Sequence, residues 1–443
     1  MAGPRASSGF RRPRFWRRLV PAAALWLLSF SGGVHAAPAY PEETVRRGQY
    51  LAVAGDCTGC HTNPRGGAPF AGGYGIVSPL GTIWSSNITP SRAAGIGAYT
   101  ESQFTQALRE GIRADGTHLY PAMPYPAYTG LSDEDVHALF AYFQQAVAPV
   151  DTRPPKTRLP FPFNLRVSMV VWNALFLRNT RFEADPSKSA AWNRGAYVVT
   201  ALEHCGDCHT PRNLLMAEKS GRAFAGGPVK PWYAPNITPD PISGIGGWSH
   251  QEIVQYLKTG AVSPKSQAAG GMAEAVSDSL QYLHPEDVDA IVTYLETIPP
   301  IRADTDTRAA FDFGGPADFE TSVRGVDTGQ GSLAGGAALY SGNCASCHQP
   351  AGTGTKDQTF PVLFHNTVTG ASQADNLIST ILHGVDRDAD GHRVFMPRFG
   401  EESYIQPLTD EQISTISNYV LQTFGNPNVL VSTKDVATAR KGH

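Results

Sequence analysis

The 443-residue chain holds 36 Lys and Arg against 39 Asp and Glu, with 17% charged and 41% hydrophobic residues. No basic stripe is laid out to meet phosphates, which argues against nucleic acid as a partner. The length exceeds one usual hydrophobic core and calls for several domains.

At the N-terminus, Arg5, Arg11, Arg12, Arg14, Arg17 and Arg18 precede a short apolar run, Leu19 to Phe30. Val34-His35-Ala36 before Ala37 fits a small-residue cleavage site. The run is well short of the ~20 residues a spanning helix needs. Residues 1–36 are therefore expected to be a cleaved signal peptide, with Sec and Tat export both open. Its removal takes six arginines and no acid, leaving 30 basic against 39 acidic side chains and a formal charge of −9.

Cysteine occurs only in three copies of Cys-x-x-Cys-His: Cys57, Cys60 and His61; Cys205, Cys208 and His209; Cys344, Cys347 and His348. Two thiols at this spacing can each add to one vinyl group of a single haem, and the adjacent histidine can then bind the iron. A dithiol redox pair or a zinc site are the alternatives. Three copies with no cysteine left over favour three covalently bound haem c groups. Attachment of such haems outside the bacterial cytoplasm agrees with the export signal.

The first cysteines lie 148 and 139 residues apart, a spacing that suits tandem domains. Each unit opens with a helical run: Arg47 to Leu51, Arg194 to Val198, and Gly336 to Tyr340. Each closes with a helix on which Leu131, Val136, Leu139 and Tyr142 match Leu283, Val288, Ile291 and Tyr294, and again Leu408, Ile413, Ile416 and Tyr419. Steps of three put these on one stripe, and acids just ahead favour a helix start. The opening helix should pack across the closing one. Gly48 or Gly195 would permit close approach, with the tyrosines as core residues. Units one and two share Asn87-Ile88-Thr89-Pro90 and Asn236-Ile237-Thr238-Pro239, which unit three lacks, so they form a closer pair.

One methionine per unit stands ahead of the closing helix: Met123, Met272 and Met396, at 66, 67 and 52 residues past the first cysteine. These are the expected sixth ligands. Pro124 and Pro397 support two of them, and Met272 has no such support. Met169 and Met216 are read as packing residues. His118 and His383 are the rivals for the sixth position, and His204 is expected at a haem edge. Each axial histidine should be oriented through its other ring nitrogen by a backbone carbonyl, with those around Pro64, Pro211 and Pro350 as candidates.

The fold expected is mainly α: domains at 37–149, 190–299 and 335–425, linkers at 150–189 and 300–334, and a polar tail at 426–443. The first linker contains Leu165 to Leu177, too short to span a bilayer. It reads either as a helix buried between domains or as an exposed apolar helix that docks on a partner or on the membrane surface. The second linker reads as solvated.

These motifs, with Leu119 to Tyr125, Gly271 to Glu274 and Phe161 to Asn164, resemble the trihaem cytochrome c subunit of membrane-bound bacterial alcohol, gluconate and sugar dehydrogenases. The resemblance implies three cytochrome c-type domains with axial His and Met. It implies electron transfer from a periplasmic flavin- or PQQ-containing dehydrogenase large subunit to membrane ubiquinone. A small third subunit and peripheral membrane association come with it. No dinucleotide loop, nucleophile elbow or metal triad suggests substrate oxidation on this polypeptide. A free-standing periplasmic shuttle and a peroxidase-like haem enzyme remain as alternatives.

Overall fold

The computed structural model describes residues 40–78, 80–318, 331–356 and 359–442. The expected signal peptide lies outside the described residues.

The first unit contains α1 (Glu42–Ala54), α2 (Cys57–His61), α3 (Glu101–Glu110) and α4 (Asp133–Gln145). The connecting segment is α5 (Ser168–Phe176). The second unit follows with α6 (Ala190–Tyr197), α7 (Gly206–His209), α8 (His250–Thr259), α9 (Gly271–Asp278) and α10 (Pro285–Leu295). The third holds α11 (Gly331–Asn343), α12 (Ala345–His348), α13 (Asp375–His383), α14 (Asp410–Phe424) and α15 (Thr433–Lys441). Short antiparallel hairpins interrupt the helices: β1 (Gly75–Ser78) with β2 (Gly81–Trp84), β3 (Gly227–Val229) with β4 (Trp232–Ala234), and β5 (Val385–Ala389) with β6 (His392–Met396).

In all three units the opening helix crosses the closing one: α1 on α4, α6 on α10, α11 on α14. Glycine makes the crossing possible. A Cβ on Gly48 would lie 1.9 Å from the Ala138 carbonyl oxygen, and one on Gly195 the same distance from that of Ala290. In the third unit Gly336 meets Tyr419 and the Thr415 carbonyl in the same way. The tyrosines fill the crossings, with Trp192 edge-on to Tyr294 at 5.2 Å and Tyr340 tilted against Tyr419 at 5.4 Å. The closing helices start on side-chain caps, Ser132 in the first unit and Thr409 in the third, each accepting an N–H three residues on.

Among the described residues two large hydrophobic cores form, with a small third cluster where Trp172 meets Tyr125 and Ala217. One runs through both of the first two units, from Leu51 and Leu139 to Val198, Leu202 and Ile291. The other belongs to the third unit, around Tyr340, Ile413, Ile416 and Phe424. The third unit docks on the second by polar contacts: Lys230 with Asp375 at 2.6 Å, Tyr233 with Asn376 at 2.9 Å, and the Ser379 hydroxyl donating to the Pro231 carbonyl at 2.8 Å. Arg387, buried, reaches the Ala268 carbonyl at 2.8 Å.

The connecting segments are more engaged than the sequence suggests. The second linker is pinned where Asn236 donates to the Ile301 carbonyl and Arg302 pairs with Asp240. The polar tail ends in α15, which buries Val436 and pairs Arg440 with Asp410 at 2.8 Å. Helix α5 departs from the expectation of burial between domains: Trp172 is buried, but Val170, Val171 and Leu175 face outward. Among the described residues no helix is long and apolar enough to cross a membrane.

Candidate haem-attachment sites

Each Cys-x-x-Cys-His stretch forms one short helical turn directly after its opening helix, so the two thiols and the imidazole share a local frame. A left-handed residue makes the corner in the first two units. Asp56 (φ 45°) precedes Cys57 and accepts the Gly59 N–H, and His204 (φ 40°) takes the same place before Cys205.

The three histidines are oriented alike. His61 Nδ1 lies 2.7 Å from the Ser86 carbonyl oxygen, His209 Nδ1 2.6 Å from that of Pro235, and His348 Nδ1 3.0 Å from that of Pro361. A proton on Nδ1 bonded to a carbonyl leaves Nε2 with its lone pair available for a metal. Burial lowers all three imidazole pKa values, opposed only by the carbonyl bond, which keeps the rings neutral as ligation requires. The acceptors are not the carbonyls near Pro64, Pro211 and Pro350. They sit 25, 26 and 13 residues downstream of the histidine, on chain that returns to it. In units one and two the acceptor immediately precedes the shared Asn-Ile-Thr-Pro. Asn87 accepts the Thr89 N–H and hydroxyl, and Asn236 does the same for Thr238, locking the turn that aims the carbonyl.

Burial disfavours the thiolate at five of the six cysteines, Cys57, Cys60, Cys205, Cys208 and Cys344. Burial pushes Cys57, Cys60 and Cys344 up to about 12 and Cys208 up to about 11. A reactive dithiol or a zinc thiolate needs the opposite shift. Among the described residues no group of three His, Cys, Asp or Glu side chains converges as a metal site. The residues present thus fit covalent haem: thiols that have only to add to a vinyl group, one imidazole poised through Nε2, and apolar walls.

The methionines differ in presentation. Met123 lies in a turn, its N–H bonded to the Tyr120 carbonyl and its own carbonyl to the Tyr125 N–H, and it packs on the core that Cys57 also meets. Met396 ends β6, paired with Val385 in a hairpin whose Asp390-Gly391 turn has positive φ at both positions. It packs on the core that also carries Cys344. Met272 sits at the second position of α9, which replaces the missing proline turn, and packs on the same core as Cys205. Met169 packs beside Trp172, but Met216 is 42% exposed and joins none of the cores, against the packing role expected of it. His118 has a buried Nδ1 without a hydrogen bond. His383 ends α13 with its ring 6.1 Å from that of Trp232 in the second unit.

The first two stretches meet across the shared core. A Cβ on Gly55 would lie 3.5 Å from the Leu202 carbonyl oxygen, and the His204 ring is edge-on to Tyr128 at 5.6 Å, whose hydroxyl donates to the Gly55 carbonyl. Acids line this seam. Burial and then the Asp278 charge push Asp56 up to about 8, and burial raises Glu203 well above the usual carboxylate range while Ser279 donates to it at 2.8 Å. Sequence reasoning missed these acids and the Tyr50–Asp287 and Tyr197–Asp135 contacts. A signal for the contacts was present: Arg-x-x-Tyr recurs at Arg47 and Arg194, and Asp-Val at Asp135 and Asp287.

The crossed helices and Cys-x-x-Cys-His turns define a cytochrome c class of protein, and the cytochrome c family model matches residues 45–146 and 333–424. Its cytochrome c domains imply covalent haem c. Over 97% of this chain and 90% of the relative, the sequence is 48% identical to the fructose dehydrogenase cytochrome subunit of Gluconobacter japonicus. The gluconate 2-dehydrogenase cytochrome c subunit of Pantoea cypripedii is 35% identical over 90% of this chain and 89% of its own length. The cytochrome c subunit of the quinone alcohol dehydrogenase of Gluconobacter oxydans is 36% identical over 91% and 84%. The chain belongs to the cytochrome c subunits of membrane-bound bacterial dehydrogenases.

Proposed function

We propose that this chain is the electron-transfer subunit of a periplasmic dehydrogenase complex. It would carry three haem c groups and pass electrons from a flavin- or PQQ-containing catalytic subunit to ubiquinone. The organic substrate is a sugar, sugar acid or alcohol, the classes named by its relatives. The observation that carries the reading is the threefold recurrence of one geometry, an imidazole held at Nδ1 by a returning carbonyl in a Cys-x-x-Cys-His turn.

Three tandem domains, bounded as the sequence suggests, hold these sites. Cys57, Cys60, Cys205, Cys208, Cys344 and Cys347 would hold the haems through thioethers. His61, His209 and His348 would each hold one iron, with Met123, Met272 and Met396 as the second ligand in turn. When bound, the iron supplies a one-electron couple whose potential a methionine ligand raises. The chain's own part is to orient each imidazole, exclude water with the apolar cores, and hold the first two sites side by side. The protein is read as exported and peripherally bound to the membrane, and the relatives' cytochrome subunits support that reading.

The test is native purification from detergent-solubilised membranes, followed by substrate-dependent reduction of a ubiquinone analogue. A stoichiometric flavin- or PQQ-containing subunit with such activity supports the reading. A solitary chain without quinone reduction overturns it in favour of a free shuttle.

A further inference from the structure

Helix α5 is mostly apolar, with Ser168 and Asn173 as its polar residues. Its inner face is fixed to the first two units. Trp172 lies edge-on to Tyr125 at 6.3 Å and donates through Nε1 to the Leu215 carbonyl at 2.9 Å. Asn173 accepts the Tyr125 hydroxyl at 2.7 Å and donates to the Glu110 carbonyl at 3.1 Å. Its outer stripe, Val167, Val170, Val171, Ala174 and Leu175, contains no polar residue, and Val171 and Leu175 are 61% and 64% exposed. Phe161, 78% exposed, lies in the turn just before the helix. Leu214 projects fully into solvent next to Leu215, whose carbonyl Trp172 holds. A patch this apolar on a water-facing helix marks a docking surface.

Charge identifies the occupant. The whole chain is slightly acidic, yet residues 152–182 carry Arg153, Lys156, Arg158, Arg166, Arg178 and Arg181 and no Asp or Glu. Lys156, Arg158 and Arg178 are exposed and flank the apolar helix in sequence, Arg178 two residues past its end. Apolar side chains set among basic ones match an anionic lipid surface, where each part of the bilayer interface meets its complement.

We propose that α5, with Phe161 and the Leu214–Leu215 loop, is the segment by which this chain lies on an anionic membrane surface. The inference rests on the peripheral-association reading and names the surface responsible. Because Tyr125 and Trp172 also pack beside Met123, docking through α5 holds the first site close to the membrane.

The test uses the purified haem-loaded chain, sedimented with vesicles of neutral phosphatidylcholine or of phosphatidylcholine mixed with phosphatidylglycerol. The wild type should pellet with the anionic vesicles and release as salt rises. Val171→Asp with Leu175→Asp should lower partitioning about tenfold or more, since each change removes an inserted apolar side chain and adds a repelled charge. The haem absorption spectrum verifies that the variant is folded, and Leu430→Asp, at another exposed leucine, should bind as the wild type. Failure of the folded wild type to bind either vesicle, or undiminished binding by the double variant, overturns the proposal. If native membranes nevertheless retain the complex, peripheral association stands and another subunit is the tether. If the double variant instead abolishes self-association of the free chain, the occupant is a second copy and the lipid assignment is wrong.

Discussion

The Tyr50 hydroxyl of the first unit donates to Asp287 of the second at 2.5 Å, and the relationship is reciprocated, because Tyr197 of the second unit donates to Asp135 of the first at 2.5 Å. Each aspartate is also held by an arginine of its own unit, Asp287 by Arg194 at 2.6 Å and Asp135 by Arg47 at 2.6 Å. Two repeats with the same Arg-x-x-Tyr on the opening helix and the same aspartate on the closing helix thus clasp each other symmetrically. The clasp sits near the C-terminal ends of α1 and α6, the helices that lead into the first two Cys-x-x-Cys-His turns.

Removing one half of the clasp should cost modestly, and removing both should cost additively. Tyr50→Phe and Tyr197→Phe are each expected to lose about 1.5 kcal/mol, the scale of a hydrogen bond to a charged group. The double variant should lose close to the sum, since the hydrogen bonds end on different aspartates, with any shortfall reporting coupling through Arg194, which holds Asp287 and lies over the Tyr197 ring at 5.7 Å. Denaturant titration followed by far-UV circular dichroism measures this.

The clasp should also loosen in acid. Burial alone would raise the Asp287 pKa, but bonds from Arg194 and Tyr50 more than offset it and leave the carboxyl below its ordinary range. A depressed folded pKa stabilises fully above the unfolded value of about 3.9 and is lost as pH falls through the folded value. Melting temperature should therefore drop below about pH 4 in the wild type, and less steeply in Asp287→Asn. Equal slopes for the two proteins would remove Asp287 as the cause.

Glycine substitutions should have opposite signs at two places. Gly48→Ala would put a methyl 1.9 Å from a backbone oxygen of α4, so the helices must part, at about 3 kcal/mol or more. Gly342→Ala, on α11 with nothing within 4 Å of the new Cβ, should stabilise by up to about 1 kcal/mol through helix propensity alone. Thermal melts of the two variants check the contrast.

The proposed axial methionines predict a spectroscopic outcome. Met123→Ala, Met272→Ala and Met396→Ala should each open one iron to carbon monoxide in the ferrous state and lower one reduction potential. The wild type should bind little. Carbon monoxide difference spectra and a spectroscopic redox titration distinguish the three. A wild type that already binds carbon monoxide strongly would favour the haem-enzyme reading.

Local pattern made much of this legible. The Cys-x-x-Cys-His turns, the glycine-mediated crossings and the tyrosines that fill them follow from spacing within one unit. The carbonyls that aim His61, His209 and His348 did not, because they arrive from chain 13 to 26 residues away and the prolines nearest in sequence drew attention instead. The Tyr50–Asp287 contact bridges 237 residues, beyond any periodicity argument. For α5 the composition was plain but the exposure was not, since a mostly apolar stretch reads the same whether it faces a core or the outside. Only the fixed positions of Trp172 and Asn173 decide which side is inner.

Intact mass spectrometry of the denatured, purified protein decides whether one chain carries three covalent haems. The expected mass equals the mature polypeptide plus three haems, falling by one haem when Cys205 and Cys208 are both replaced by serine. A wild-type mass with fewer than three haems, or one unchanged by that double replacement, would contradict the three-haem reading.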